Sequence, residues 1–199
     1  LHRMQAETYA LLHEGRHMTK YNIDTTHSEI GFTARHMVFA KVRGQFKTWT
    51  GKVEYDAEDP TRSKVEAEIE VASIDTREPK RDDHLRSAEF FDAEKFPKLT
   101  FASKRIEAAG DGAYKVTGDL TLHGTTREVT LDATASGTGK DPWGNQRLGF
   151  SLEGSIDRSD FGLRWNQVLE TGGVLVSEKI EINVEVQVVQ VADVPATSA

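Results

Sequence analysis

From Asn22 onward, apolar and polar residues alternate with a period of two, the signature of strands that bury one face. The clearest stretch is residues 64–71, where Val65, Ala67, Ile69 and Val71 share one face and Lys64, Glu66, Glu68 and Glu70 the other. The same alternation groups Ile30, Phe32 and Ala34, then Leu99 with Phe101, then Tyr114, Val116, Leu120 and Leu122. It continues through Val129, Leu131, Ala133 and Ala135, then Leu148, Phe150, Leu152 and Ile156, and ends on Ile180, Ile182, Val184, Val186 and Val188. Between Phe46 and Tyr55 the phase slips near Thr48, which predicts a bulge. The total is about eight strands. Their links (Glu58-Asp59-Pro60, Gly110-Asp111-Gly112, His123-Gly124-Thr125 and residues 137–145) are turn-like and suit antiparallel neighbours. Closing such a set into an all-β, eight-stranded antiparallel barrel hides the apolar face and removes the strand edges together.

One segment breaks the pattern. Residues 79–96 carry Asp82, Asp83, His84, Leu85, Arg86, Ala88 and Phe90 in helix-like order and stop before Pro97. They predict a short helical insert at about residues 80–93. Leu85, Phe90, Phe91 and Phe96 are too apolar for a free loop, so the insert is expected across a barrel mouth as a plug or lid. A barrel of eight strands is just wide enough to be filled by side chains or to hold one small ligand. Alternation does not separate these two. Inward small residues (Ala34, Ala67, Gly118, Ala133, Ala135 and Gly154) favour a cavity.

Charge and composition narrow the functions. The chain has 32 acidic and 25 basic residues, a net charge of −7, which argues against nucleic acid as a partner because phosphates need a concentrated basic face. No apolar run approaches the roughly 20 residues of a membrane-spanning helix. With no cysteine, disulfides and thiolate metal sites are excluded, while the compartment stays open. Residues 1–20 hold basic residues, but Glu7, Glu14 and several histidines interrupt any leader-like apolar core. Arg16-His17-Met18 resembles a cloning junction. Residues 1–17 are therefore expected to be expression-vector sequence, residues 18–191 the domain, and 192–199 a frayed tail. A start at Met18 without a leader leads us to expect a cytoplasmic protein, or a periplasmic one if the chain was trimmed.

Candidate chemistry is sparse. His13-Glu14-Gly15-Arg16-His17 matches the H-E-x-x-H zinc pattern, but its glycine weakens the helix that must align both histidines, and it lies in the segment set aside above. It reads as an accident. His27, His36, His84 and His123 show no recognised ligand spacing and read as hydrogen-bonded histidines, so no metal or cofactor is expected. No phosphate-binding glycine loop or nucleophile elbow is present. No catalytic residue is nominated.

Three blocks, in order, carry a family resemblance. The first is Asp24-Thr25-Thr26-His27-Ser28-Glu29-Ile30-Gly31-Phe32, with His36 and Gly44-Gln45-Phe46 beyond it. The most specific is Asp82-Asp83-His84-Leu85-Arg86-Ser87-Ala88-Glu89-Phe90-Phe91-Asp92, leading to Phe96-Pro97-Lys98-Leu99-Thr100-Phe101. The third is Gly118-Asp119-Leu120-Thr121-Leu122-His123-Gly124-Thr125-Thr126-Arg127. Together they resemble the YceI family of polyisoprenoid-binding, lipocalin-like proteins over about residues 21–190. The resemblance implies a homodimeric barrel that holds a polyisoprenoid, an isoprenoid quinone or a fatty-acid derivative without catalysis, for carriage, storage or sensing. With the inward faces above, it puts the apolar tail against Ile30, Phe32, Ala67, Ile69, Leu85, Phe90, Phe101, Leu120, Leu122 and Phe150. A polar head near the mouth would meet Arg35, His36, Arg81, His84 and Arg127, each of which reads equally well as a surface charge or a turn-stabilising histidine. Two alternatives stay open: a metal- or histidine-dependent enzyme acting on an isoprenoid or quinone, and a packed module without a ligand.

Overall fold

The computed structural model describes residues 18–37, 39–168, 170 and 174–191. The expectations for residues 1–17, including the H-E-x-x-H match, and for 192–199 lie outside the described residues. Among the described residues the strands are β1 (Thr19–Ile23), β2 (Glu29–His36), β3 (Ala40–Phe46), β4 (Trp49–Tyr55), β5 (Lys64–Glu70) and β6 (Ile74–Asp75). After a helix, α1 (Pro79–Arg86), come β7 (Lys98–Gly110), β8 (Ala113–Leu122), β9 (Thr125–Lys140), β10 (Gln146–Asp157) and β11 (Lys179–Gln190).

All pairings are antiparallel, and β1 pairs with both β4 and β11, so the order β1-β4-β5-β7-β8-β9-β10-β11 closes on itself as an eight-stranded barrel. The segments β2, β3 and β6 are continuations. A 3-10 turn at Thr25–His27 separates β1 from β2, residues 47–48 separate β3 from β4, and a 3-10 turn at Val71–Ser73 separates β5 from β6. The three breaks lie side by side: Glu70 N–H donates to the Thr48 carbonyl and Lys47 N–H to the Ser73 carbonyl. The phase slip near Thr48 is one of them, placed between the buried Phe46 and Trp49.

Beyond these breaks the wall opens. β3 finds β6 only at Gln45 and Phe46, so the outer edge of its first residues has no strand beside it among the described residues. The insert fills this gap. Glu78 caps α1 by accepting the Lys80 and Arg81 N–H groups, and Pro79 occupies the first turn, where a missing N–H costs nothing. Buried Asp82 accepts from Thr76 N–H and hydroxyl, Arg86 donates to the Ala72 and Ile74 carbonyls, and Leu85 and Phe91 pack on Phe46 and its neighbours. The helix itself is shorter than the expected 80–93 insert, because Ser87 N–H turns back to the His84 carbonyl and residues 87–96 run on in turns.

The two barrel ends thus differ. One carries the short links at 56–63, 111–112 and 141–145. The other carries the tight turn at 123–124, α1, and the described residues of the link from β10 to β11, which begins with a 3-10 turn at Arg158–Phe161.

Candidate functional site

The interior is hollow. Side chains from every wall strand surround a cavity of about 660 Å³, within the range of about 300–1,000 Å³ typical of enclosed ligand sites. The fully buried apolar residues do not merge into one core. They form four separate clusters around the hollow: Phe46, Trp49, Ile69 and Ile74; Leu120, Leu122, Phe161 and Leu163; Tyr21, Val53 and Val188; and Ile106, Val116 and Ala133. Half-buried side chains link them: Ile23 packs on the first and third, Phe91 and Leu99 on the first and second, and Phe101 on the second and fourth.

All ten residues expected in the apolar pocket (Ile30, Phe32, Ala67, Ile69, Leu85, Phe90, Phe101, Leu120, Leu122 and Phe150) line this cavity. Phe32, Ala67, Phe101 and Phe150 are only half-buried although they face inward: each packs on a neighbouring cluster and leaves its remaining surface to the cavity. The small residues create less of that space than expected. A Cβ on Gly118 would meet the Phe101 ring at 2.6 Å and one on Gly154 the Leu131 side chain at 2.5 Å, so larger neighbours already occupy both sites. Ala135 is exposed and does not line the cavity. Ala34, Ala67 and Ala133 do line the cavity.

Polar lining is confined to the extremities. Tyr55, Ser63 and Tyr114 lie at the end with the short links, where burial pushes the Tyr55 hydroxyl above its ordinary range and keeps it neutral. All other polar lining residues gather at the α1 end: Arg35, His36, Thr76, Lys80, Arg81, His84, Arg158 and Trp165. Arg35, Ala40 and Lys80 are the exposed lining residues, so the cavity reaches the surface there.

Of the five head-group candidates, four reach the cavity. Arg35 faces Glu181 at 3.6 Å. Arg81 is held by Thr76, whose hydroxyl and carbonyl accept its guanidinium N–H groups at 2.7 and 2.8 Å. His84 pairs with Glu89 at 2.7 Å and packs edge-on against Phe90 and Trp165. His36 joins the sheet edge to Val176. Arg127 does not belong to the group. It sits opposite Leu120 in register, but at the start of β9 its side chain is exposed, donates to the Thr126 carbonyl and misses the cavity. Register gives a direction, not an environment.

Arg158 was missed by sequence reasoning. It is 2% exposed, and its guanidinium donates to the Ser177, Leu163 and Trp165 carbonyls at 3.0, 2.6 and 2.9 Å, tying the two described ends of the link between β10 and β11 together beside the cavity. Burial pushes its pKa below the ordinary arginine value. The signal was present: Phe161, Leu163 and Trp165 make the link between Ile156 and Ile180 as apolar as the insert. Trp49 and Trp165 also line the cavity. Among the described residues, no three His, Cys, Asp or Glu side chains converge as a metal site.

With this geometry in place, comparison with known proteins is decisive. The family model of the YceI-like domain matches residues 21–188. The chain belongs to the YceI-like family. A UPF0312 protein of Staphylococcus epidermidis is 40% identical over 165 residues, covering 82% of this chain and 94% of the relative. Among solved structures, the YceI protein of Campylobacter jejuni is 33% identical with a TM-score of 0.71, over 79% of this chain and 90% of its own. BcnA of Burkholderia cenocepacia is 26% identical with a TM-score of 0.73, over 83% and 98%. A domain of Saccharophagus degradans described as polyisoprenoid-binding shares the fold at 16% identity, with a TM-score of 0.64 over 86% and 98%.

Proposed function

We propose that this YceI-like protein carries one long isoprenoid lipid, a prenyl quinone or another polyisoprenoid, with its tail in the barrel and its polar head at the α1 end. The observation that carries the reading is the cavity itself: apolar along its length, with its charged lining residues at one end only. Each buried methylene contributes roughly 0.8 kcal/mol. A long tail therefore binds without directional contacts, although ordering it offsets part of the gain. The polyisoprenoid-binding description of the Saccharophagus degradans domain, which shares the fold, agrees with this ligand class. Nothing in the arrangement calls for a reaction, and the reading is binding, not catalysis.

Two tryptophans provide the test. Trp49 and Trp165 line the cavity, whereas Trp143 is 81% exposed on the 141–145 link. Delipidated protein titrated with a long-chain prenyl quinone in dilute detergent should lose most of its cavity-tryptophan emission saturably, at one quinone per chain. A polyprenol of similar length should restore it by displacement. Absence of saturable quenching would refute the reading.

A further inference from the structure

Cations without an acidic partner lie on the wall and at the mouth alike, but at the mouth they share one crevice. On the wall, Lys98 pairs with Glu68, Lys104 with Asp119 and Glu128, and Lys115 with Asp132, while Lys52 and Lys64 have no ion pair among the described residues. At the mouth, Lys41, Arg43, Arg77, Lys80 and Arg81 have no carboxylate within ion-pair distance among the described residues. The acids beside them are engaged: Asp75 by Lys47, Asp82 by Thr76, Asp83 by Arg86, and Glu78 as the α1 cap. Four of these five cations face a common crevice beside Val42 and Thr76. A protein of net charge −7 therefore gathers unpaired positive charge at the rim of its apolar cavity.

The same rim exposes apolar side chains. Phe39 is 76% and Val168 81% exposed. They belong to neighbouring tips: Met37 N–H donates to the Leu175 carbonyl, His36 bridges to Val176, and Val168 to Val174. Lys41 and Arg43 could serve merely to protect the bare β3 edge from pairing with another strand. That explanation leaves Arg77, Lys80, Arg81 and Phe39 unused, since none of them lies on that edge.

We propose that this end docks on an anionic lipid bilayer, Phe39 and Val168 entering the interface and the unpaired cations meeting the lipid phosphates. Docked in this way, the mouth faces the membrane, and an isoprenoid passes between bilayer and cavity without crossing water. The inference rests on the lipid-carriage reading for its purpose, but vesicle binding is measurable independently of it. Each basic residue near such a surface strengthens binding by about fivefold, an effect that salt screens.

The test uses the full chain with phosphatidylcholine vesicles, with and without phosphatidylglycerol. The wild type should sediment with the phosphatidylglycerol vesicles, be released by high salt, and ignore pure phosphatidylcholine. The double variant Arg43→Glu/Arg77→Glu should lose more than tenfold in vesicle affinity, and Phe39→Ser should lose several-fold. Trp143→Ser, which removes an equally exposed ring at the far end, should lose nothing. Uptake of a prenyl quinone from phosphatidylglycerol vesicles should slow in the rim variants, while uptake from detergent micelles stays unchanged. A wild type that takes quinone from micelles but ignores charged vesicles overturns docking and leaves carriage intact. Equal losses in Phe39→Ser and Trp143→Ser, or none in the double variant, overturn docking as well. A protein that binds vesicles but takes up quinone from neither source would keep the docking surface and refute the carriage reading.

Discussion

The two ends of the barrel solve the same problem, how to stop a ring of strands, in opposite ways. At the end with the short links, the chain turns tightly and the charges cancel. Arg147 donates to Asp24 at 2.6 Å and to Asp141 at 3.0 Å, and Asn145 adds a further bond to Asp141. At the other end, two long segments lie at the cavity, one buried arginine gathers three carbonyls of the link between β10 and β11, and several cations have no acidic partner. The first end is arranged for stability. The second gives up local pairing for access to the hollow, the route that the proposed carriage requires.

Breaking the open end should cost most. Arg158→Met strips one buried and two half-buried carbonyls of their donor, and each lost bond to a charged group is worth about 1.5–3 kcal/mol. We expect a loss of about 3 kcal/mol or more in denaturant unfolding, with residues 158–178 becoming susceptible to protease. A change below about 1 kcal/mol would show that the end does not depend on this residue. Arg147→Met at the closed end should cost less, about 1–3 kcal/mol, because its partners keep some access to water.

The closed end also predicts a pH signature. Hydrogen bonding to Arg147 holds the Asp24 carboxyl down to about 2, and the Asn145 amide chiefly does the same for Asp141, again to about 2. Both lie below the ordinary value of about 3.9 for an unfolded chain. Such groups bind protons more tightly when unfolded, so their stabilisation is present above about pH 4 and fades as pH falls toward 2. In Arg147→Met the decline over that interval should be shallower, as read by urea titration at a series of pH values. The smallest effect belongs to the wall. Glu68→Gln removes an exposed pair with Lys98 and should change stability by no more than about 0.5 kcal/mol, with lipid content unchanged.

Much of this was legible from alternation alone. Residues 64–71 showed their inward face directly, the same period gave the strand count and the inward positions on the strands, the short links gave the antiparallel order, and the apolar insert supplied Leu85 and Phe90. What alternation missed has physical causes. The strand β3 has Lys41, Arg43 and Gly44 among its first residues, too polar to register as a buried face on an edge without an outer partner. Gly118 and Gly154 suggested empty space, but close packing is settled between strands, where Phe101 and Leu131 lean over them. Arg158 escaped notice because its partners are backbone carbonyls, which carry no residue identity.

The central claim, that the barrel is a lipid container and not a packed core, is tested most directly at Ala67. This residue lines the cavity opposite Gly51 and Phe101 on the neighbouring strands. Ala67→Trp places a ring where the tail would lie, and a hollow can receive it with little of the roughly 1–3 kcal/mol penalty of overpacking. Native mass spectrometry of wild type and variant, beside their melting temperatures, reads both effects. The account predicts a long-chain lipid on the wild type, little or none on Ala67→Trp, and similar melting temperatures for both once delipidated. A wild type without lipid and a strongly destabilised variant would contradict it, as would equal lipid on a folded Ala67→Trp.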